Sequence, residues 1–300
     1  MRNRISSLSL ILRSLAGVFL LAPTIASTCF TPIAPVAQSG SPAANADPEQ
    51  VADGAWYRPG VTDRWQWQLQ PDVSGKINTS YDVEVYDIDL FDAPDDVIDA
   101  LHAQGRRVIC YFSAGTSESF RDDFGEFKAS DLGAPLEDFP TENWLDVRSD
   151  NVRRIMLARL DLAAARGCDG VEPDNVDGYA NNSGFPLTGD DQLAFNRFIA
   201  EEAHKRGLAV GLKNDLDQIP ALVAHFDFAV NEQCHEYDEC DALQPFIEAG
   251  KPVFNAEYSD TFVGSETRRR ELCASSLDQG LHTLILPLDL DDAFRFSCDP

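Results

Sequence analysis

Short apolar runs alternate with amphipathic segments through most of this 300-residue chain. Eight runs rich in aliphatic and aromatic residues, bounded by Gly, Pro, Asn or Asp, are typical of buried strands. They cover residues 65–69, 83–88, 107–113, 169–173, 208–213, 228–232, 252–257 and 282–288. Apolar residues recur at helical spacing over residues 93–105, 152–166, 190–206, 219–225, 242–249 and 266–279. This alternation predicts an α/β fold with a parallel sheet, and the count and length favour a single (β/α)8 TIM barrel over an open doubly wound sheet.

Two further segments modify this pattern. Residues 116–143 are polar and are predicted to form a long loop, which precedes a short apolar run at 144–148. Residues 1–53 show none of the strand and helix alternation. Within them, Arg2 and Arg4 precede an apolar stretch that ends in small residues, which predicts a signal peptide over residues 1–28. Residues 29–53 are rich in Pro, Ala, Ser and Gly, which predicts a disordered leader, so the folded domain is expected at residues 54–300.

The predicted signal peptide implies a secreted protein. Arg13 interrupts its apolar stretch, so no membrane span is expected. Cys29 lies just after the predicted cleavage region and leaves a lipid-anchored form as the less favoured alternative.

Acidic residues concentrate at the end of the fourth predicted strand, in residues 167–179 with the sequence GCDGVEPDNVDGY. Side chains alternate along a strand, so Glu172 and Asp174 point to one side while Val171 and Pro173 point to the other. In barrel enzymes, chemistry takes place at this end of the strands. Carboxylates here can also cap the turns that follow, so the segment alone leaves a structural role open.

Polar side chains also stand at the C-terminal ends of the other predicted strands, and a barrel brings those ends to one rim. They are Asp87, Tyr111, Ser113, Glu172, Asp174, Lys213, Asn214, Asn231, Glu232, Glu257 and Asp289. Two carboxylates across a cleft suit glycoside hydrolysis, in which one protonates the leaving oxygen and the other attacks or stabilises the anomeric carbon. Trp65, Trp67, Tyr111 and Tyr179 are candidate platforms for sugar rings, although such aromatic residues more often belong to the core.

The charge balance limits the choice of partners. Asp and Glu outnumber Lys and Arg by 50 to 24, which gives a formal net charge of −26. Nucleic acid and anionic membranes are poor partners because a field of this sign repels them. A cationic ligand would be attracted, whereas a solvated acidic shell is the simpler interpretation of most of the charge. We expect a monomer.

Six of the seven cysteines fall in the predicted domain, an even number that suits disulfides in an exported protein. Cys234 and Cys240 are predicted to form a disulfide that closes one loop, and Cys273 and Cys298 are a second candidate pair. Cys110 and Cys168 lie in or beside strands and are interpreted as buried thiols. The five histidines are scattered, and no Gly-x-Gly-x-x-Gly follows a strand, so neither a metal site nor a cofactor is predicted.

Several of these segments in combination resemble the endo-α-1,4-polygalactosaminidases, glycoside hydrolase family 114. The matching segments are residues 110–115, 144–148, 169–179, 211–214, 226–234, 250–254 and 257–258, within a resemblance that spans about residue 55 to the last strand. The resemblance implies a barrel whose catalytic nucleophile is Asp174 and whose acid/base is Glu232. It also implies a substrate of α-1,4-linked galactosamine, N-acetylated to a varying extent and cationic where the amino groups are free. We expect retention of anomeric configuration.

Seven residues of the rim are expected to bind the substrate. They are Asp87, Tyr111, Glu172, Lys213, Asn214, Asn231 and Glu257. Lys213 and Asp87 are expected near the catalytic acids as charge partners, Lys213 because a cation keeps an adjacent carboxylate ionised.

Two other functions remain open at this point. A non-catalytic polysaccharide-binding or exopolysaccharide-export protein could use the same cleft, although such a protein would not need both Asp174 and Glu232. A metal-dependent lyase or phosphodiesterase would instead use Asp87, Glu172 and Glu257 as oxygen ligands for Mg²⁺.

Overall fold

The computed structural model describes residues 56–300, with the backbone alone at Asp95. The expected signal peptide and leader, residues 1–28 and 29–53, lie outside the described residues. The elements in chain order are β1 Trp65–Gln68, β2 Val85–Asp89, α1 Asp95–Ala103, β3 Arg107–Ser113, β4 Thr116–Glu118, β5 Leu132–Pro135, β6 Glu142–Leu145, α2 Asp150–Arg166, β7 Gly170–Asp174, α3 Gly189–Lys205, β8 Ala209–Lys213, α4 Ile219–Leu222, β9 Phe228–Glu232, α5 Gln244–Glu248, β10 Val253–Glu257, α6 Asp260–Gly264, α7 Glu266–Asp278, β11 His282–Ile285 and β12 Phe296–Ser297.

Eight strands form one curled parallel sheet in the order β1-β2-β3-β7-β8-β9-β10-β11, and β12 adds to β11 in the antiparallel sense. The two ends of the sheet meet at a seam. There Trp65 Nε1 donates a hydrogen bond to the His282 carbonyl oxygen at 2.9 Å, and Arg295 Nη2 donates one to the Trp65 carbonyl oxygen at 3.0 Å. The TIM-barrel prediction is therefore confirmed, with all eight predicted strands present.

The interior of the barrel is apolar over its N-terminal half. Trp65, Trp67, Phe228 and Phe254 are buried there in one cluster. Gly211 makes this packing possible, because a Cβ atom at that position would lie 2.4 Å from the Phe228 ring. Trp65 and Trp67 are thus core residues and not sugar platforms.

Helices cover the outer face of the sheet, and the longest two have clear sequence signals at their ends. Helix α2 begins after Ser149, whose hydroxyl accepts a hydrogen bond from the Asn151 amide, and ends at Gly167 in the left-handed conformation, φ 82°. Helix α3 begins with a capping box between Thr188 and Asp191. These two helices cover the strands that carry the acidic segment.

The predicted polar loop at residues 116–143 instead contains most of a small antiparallel sheet. Its strands lie in the order β4-β6-β5, directly after β3. The hydrophobic pattern gave no signal for β4, because its buried residues are the polar Thr116, Ser117 and Glu118. The apolar run predicted at 144–148 contributes only its first two residues, to the end of β6.

Three disulfides link the described cysteines. The predicted bridges Cys234–Cys240 and Cys273–Cys298 are confirmed. The interpretation of Cys110 and Cys168 as buried thiols is wrong, because they form a third bridge with Cα atoms 6.0 Å apart. Strands β3 and β7 are neighbours in the sheet, but β4 to β6 and α2 separate the two cysteines by 58 residues in sequence. Among residues 56–300, no helix is long and apolar enough to cross a membrane.

Candidate active site

Polar side chains replace the apolar ones at the C-terminal half of the barrel interior. Every second residue of a strand points into the barrel, from the apolar core to this end. At this end β7 presents Glu172 and Asp174, β8 presents Lys213 and β9 presents Glu232. Strand β2 adds Asp87, β3 adds Tyr111, and Tyr258 follows the end of β10. One ammonium group lies at the centre of this cluster.

Lys213 connects the carboxylates. Its Nζ lies 2.9 Å from Glu172 Oε1, 3.2 Å from Asp174 Oδ1 and 3.4 Å from Glu232 Oε2. The same atom lies 4.8 Å from the centre of the Trp67 ring, a distance at which a cation is attracted to the aromatic face. Burial alone would lower the pKa of Lys213, but the charges of Asp174, Glu172 and Glu232 raise it well above its usual range. The lysine is therefore a permanent positive charge.

Asp174 accepts hydrogen bonds from two donors. Its Oδ2 accepts a hydrogen bond from Tyr111 Oη at 2.9 Å, and its Oδ1 accepts one from the backbone amide of Asn175 at 2.7 Å. Burial and then the charge of Asp174 raise the pKa of Tyr111 well above its usual value, so Tyr111 keeps the proton that it donates. Gly115 lets the loop approach, because a Cβ atom there would lie 1.7 Å from the Asn175 carbonyl oxygen.

Glu232 accepts hydrogen bonds from two neutral side chains. Tyr258 Oη donates to Oε1 at 2.7 Å, and Asn214 Nδ2 donates to Oε2 at 3.1 Å. Asn214 also fixes the backbone, since its Oδ1 accepts a hydrogen bond from the Glu232 amide at 3.0 Å. The pKa of Tyr258 is raised well above its usual range, first by burial and then by the charge of Glu232, so Tyr258 remains a donor.

The chain turns in the same way after each of the three strands that carry these groups. Asn175, Asn214 and Gln233 directly follow Asp174, Lys213 and Glu232, and their φ angles are 60°, 48° and 60°. This left-handed conformation is uncommon outside glycine, and Asn adopts it more readily than most residues. The Asn that follows each of two strand ends was a sequence signal for this turn.

The common contact with Lys213 limits the distance between Asp174 and Glu232. Asp174 Oδ1 and Glu232 Oε2 lie 3.2 Å and 3.4 Å from one nitrogen atom, so the two oxygens are at most about 6.6 Å apart, the sum of these distances. Their side chains are 17% and 27% exposed, so both reach the solvent at the barrel mouth. The pair can therefore act together on one bond.

The structure brings five of the seven predicted substrate-binding residues to this cluster, namely Asp87, Tyr111, Glu172, Lys213 and Asn214. Asn231 and Glu257 lie elsewhere. Each is the strand neighbour of an inward residue and therefore points outward, where Asn231 Nδ2 donates to Asn255 Oδ1 at 3.0 Å and Glu257 Oε1 accepts from the His235 amide at 2.9 Å. The three carboxylates considered as Mg²⁺ ligands are thus not brought together.

Other residues at the site were not predicted from the sequence. Tyr258 lies on the inward face with Ala256, so strand alternation was a usable signal for it. A second group of acids lies nearby, in which Asp177 is close enough to feel the charge of Asp174 and Asp215 that of Asp177. Burial raises the pKa of Asp177 to about 6 and that of Asp215 to about 8. Tyr179, a candidate sugar platform from the sequence, hydrogen-bonds to Asp215, and burial raises its pKa.

Comparisons with known proteins agree with this geometry. The model of glycoside-hydrolase family GH114 matches residues 46–300. Among solved structures, Aspergillus fumigatus Ega3 in complex with galactosamine is 42% identical, with a TM-score of 0.76 over 81% of this chain and 98% of that chain.

Two further similarities are more distant. The glycoside hydrolase domain of PelA from Pseudomonas aeruginosa is 15% identical, with a TM-score of 0.58 over 77% of this chain and 96% of that chain, and it supports the fold alone. An uncharacterized protein of Deinococcus radiodurans is 28% identical over 180 residues, which are 53% of this chain and 58% of that protein. The chain therefore matches only a little over half the length of this relative.

Proposed function

Since the chain belongs to glycoside-hydrolase family GH114 and is a glycoside hydrolase, we propose that it is a secreted, endo-acting enzyme that cleaves polymers of α-1,4-linked galactosamine and N-acetylgalactosamine. The observation that carries this proposal is the placement of Asp174 and Glu232 on one ammonium group at the barrel mouth. Such a pair of carboxyl groups is what hydrolysis of a glycosidic bond requires.

The proposed substrate follows from the relatives and from charge. Ega3 was crystallised with galactosamine, an amino sugar that is cationic when its amino group is free. This chain carries a formal net charge of −26. A field of this sign attracts a cationic polymer.

The different surroundings of the two carboxyl groups support different roles for them. Asp174 accepts hydrogen bonds from Tyr111 and from the Asn175 amide, and it lies closer than Glu232 to the Lys213 ammonium. These contacts stabilise a carboxylate, so Asp174 is the nucleophile. Glu232 is more exposed and accepts its hydrogen bonds from the neutral Tyr258 and Asn214, which suits a group that gains and loses a proton.

The reaction then takes two steps. Glu232 donates its proton to the glycosidic oxygen while Asp174 attacks the anomeric carbon, which breaks the glycosidic bond and forms a glycosyl-enzyme ester. Glu232, now a carboxylate, removes a proton from water, and the water oxygen displaces Asp174. Retaining enzymes place the two carboxyl groups about 5–5.5 Å apart and inverting enzymes about 6.5–9.5 Å. The limit of about 6.6 Å between the two oxygens that share Lys213 includes the retaining range and meets only the lower edge of the inverting one, which supports retention.

Secretion is supported by the cysteines. Three disulfides are typical of a protein that folds outside the reducing cytosol. Together with the predicted signal peptide, they support export of the domain.

Product analysis on a partly de-N-acetylated α-1,4-galactosamine polymer tests the proposal. The wild type should release oligosaccharides from internal bonds, and D174N and E232Q should each lose at least about 10³-fold in kcat while they keep the melting temperature and the binding of the polymer. Full activity in either variant would contradict the assignment of the pair. A wild type that binds the polymer without cleaving it would instead favour the binding-protein alternative.

A further inference from the structure

Asp87 lies in the middle of β2 and points toward the reacting groups, yet the substrate cannot reach it. Its side chain is 1% exposed, and those of Glu172 and Lys213 are 0% and 2% exposed. At the same level of the barrel, β1 contributes Trp67 and β3 contributes Ile109, both buried. Asp87 can therefore affect the reaction only through its neighbours.

Two buried oxygens in this region lack a donor. Asp87 Oδ1 and Glu172 Oε2 receive no hydrogen bond from any described residue, although the two carboxyl groups lie within hydrogen-bonding reach of each other. Buried polar atoms without a partner are costly. One proton shared between these two carboxyl groups would satisfy both oxygens.

The local charges require the same proton. Lys213 provides a single positive charge and already faces Glu172, Asp174 and Glu232. The ionisable groups that act on Asp87 are Glu172, Lys213 and Asp174. A further buried negative charge would have no counter-ion, and an uncompensated buried charge is strongly destabilising. Burial and then the charge of Glu172 raise the pKa of Asp87 well above its usual range.

We propose that Asp87 is a protonated positioning residue whose carboxyl group donates a hydrogen bond to Glu172 and thereby fixes Lys213 between Asp174 and Glu232. The inference rests on the proposed function for the roles of Asp174 and Glu232. Strand β2 thus acts on the reaction through a chain of three buried side chains. Glu172 keeps one oxygen for Asp87 and the other for Lys213, whose Nζ lies 2.9 Å from Oε1.

The chain of contacts predicts a specific dependence on pH. When the pH rises high enough to remove the shared proton, the negative charges of Asp87 and Glu172 repel each other and Glu172 no longer holds Lys213 in place. Loss of this proton contributes to the fall of activity on the alkaline side. An amide at position 87 donates the same hydrogen bond and does not titrate.

The substitutions D87N and D87L test the inference by activity. D87N should keep kcat within about threefold of the wild type at the optimum and should move the alkaline limb of the pH profile upward. D87L removes the donor at similar volume and should lower kcat by about 10²-fold while KM changes less than about twofold. If D87N is as impaired as D87L, or if its alkaline limb does not move, the inference is wrong.

Infrared spectroscopy provides a readout that does not depend on activity or on D87L folding. The difference spectrum of wild type minus D87N at neutral pH should contain the C=O band of one protonated carboxyl group. The matched control is D89N, because Asp89 is similarly buried on the same strand but is paired with Arg121. Its difference spectrum should lack the C=O band of a protonated carboxyl group.

The two tests separate this inference from the proposed function. A missing protonated-carboxyl band in the D87N difference spectrum overturns the inference whatever the enzyme cleaves. A wild type that cleaves no galactosamine polymer overturns the proposed function, while the infrared result still decides the state of Asp87.

Discussion

At the scale of the residue, the site depends on one lysine that is shared by three carboxylates. Taking Lys213 and Glu172 out of water is costly, and their attraction offsets that cost only if both remain in place. The arrangement gives Asp174 and Glu232 a fixed positive charge that solvent screens poorly. Lys213 therefore has a structural task toward Glu172 and an electrostatic one toward the reacting pair.

The substitution K213M separates these two tasks. It should lower kcat by at least about 10²-fold and shift the acid limb of the pH profile upward, because the ionised nucleophile loses its cation. It should also destabilise the fold by about 3–5 kcal/mol, because Glu172 is left as an unpaired buried charge. The double variant E172Q/K213M is the control and should regain most of the stability without the activity. An unchanged acid limb in K213M, or recovered activity in the double variant, would count against the role.

The residues Asn231 and Glu257 show what strand-end position alone can predict. The sequence located Asp174, Glu232, Lys213 and Asp87 correctly near one rim, since parallel strands in a barrel all end there. Asn231 and Glu257 share that rim, but each sits one residue from an inward side chain and so points outward. Val230 and Ala256 point into the barrel, so the alternation of side chains along a strand could have excluded Asn231 and Glu257 from the site. The partners within the cluster, such as Tyr258 with Glu232, depend on the register between neighbouring strands, which no sequence spacing shows.

At the scale of the element, the strands of the barrel were predictable and the small sheet was not. Strands β7 and β9 are apolar runs bounded by turn residues, so their pattern is clear. Strand β4 consists of Thr116, Ser117 and Glu118, whose burial depends on polar partners such as Glu142 and Arg121. The Cys110–Cys168 disulfide could have been predicted, because residues 107–113 and 169–173 are successive strands of the predicted barrel and such strands are neighbours in the sheet.

The small sheet also contacts the turn that follows Asp174. Thr116 Oγ1 donates a hydrogen bond to Glu142 at 2.7 Å and lies 3.2 Å from Asn175 Nδ2, the side chain next to Asp174. Burial raises the pKa of Glu142 to about 7. An insertion between two barrel strands thus positions the loop that carries Asp174.

At the scale of the whole molecule, many buried carboxyl groups make the stability depend on pH. Burial raises the pKa of Glu257 to about 7, that of Asp177 to about 6 and that of Asp215 to about 8. The unfolded values lie near about 4, so the folded state binds more protons between about pH 4 and pH 8. Stability therefore falls as the pH rises through this window. Asp131 has the opposite effect on stability below this pH window. Hydrogen bonds from Lys128, Asn151 and Ser149 outweigh burial and lower the pKa of Asp131.

The domain should accordingly be most stable in mildly acidic solution. The melting temperature, measured by calorimetry, should be higher at about pH 5 than at about pH 8 by at least about 5 °C. The variant E257Q lacks one of the groups that titrate in this window, so its difference between the two pH values should be smaller. A melting temperature that is constant or rises from pH 5 to pH 8 would show that these carboxyl groups do not control the stability.

The stereochemistry of the first product tests the central claim most directly, because it depends on the separation of Asp174 and Glu232. Proton NMR of an α-1,4-galactosamine polymer, recorded immediately after enzyme is added and before mutarotation, should show the new reducing ends as the α anomer. This result follows from a covalent intermediate on Asp174 and a carboxyl pair within about 6.6 Å. A β anomer as the first product would contradict the account, since it would require water to attack directly between carboxyl groups that stand farther apart.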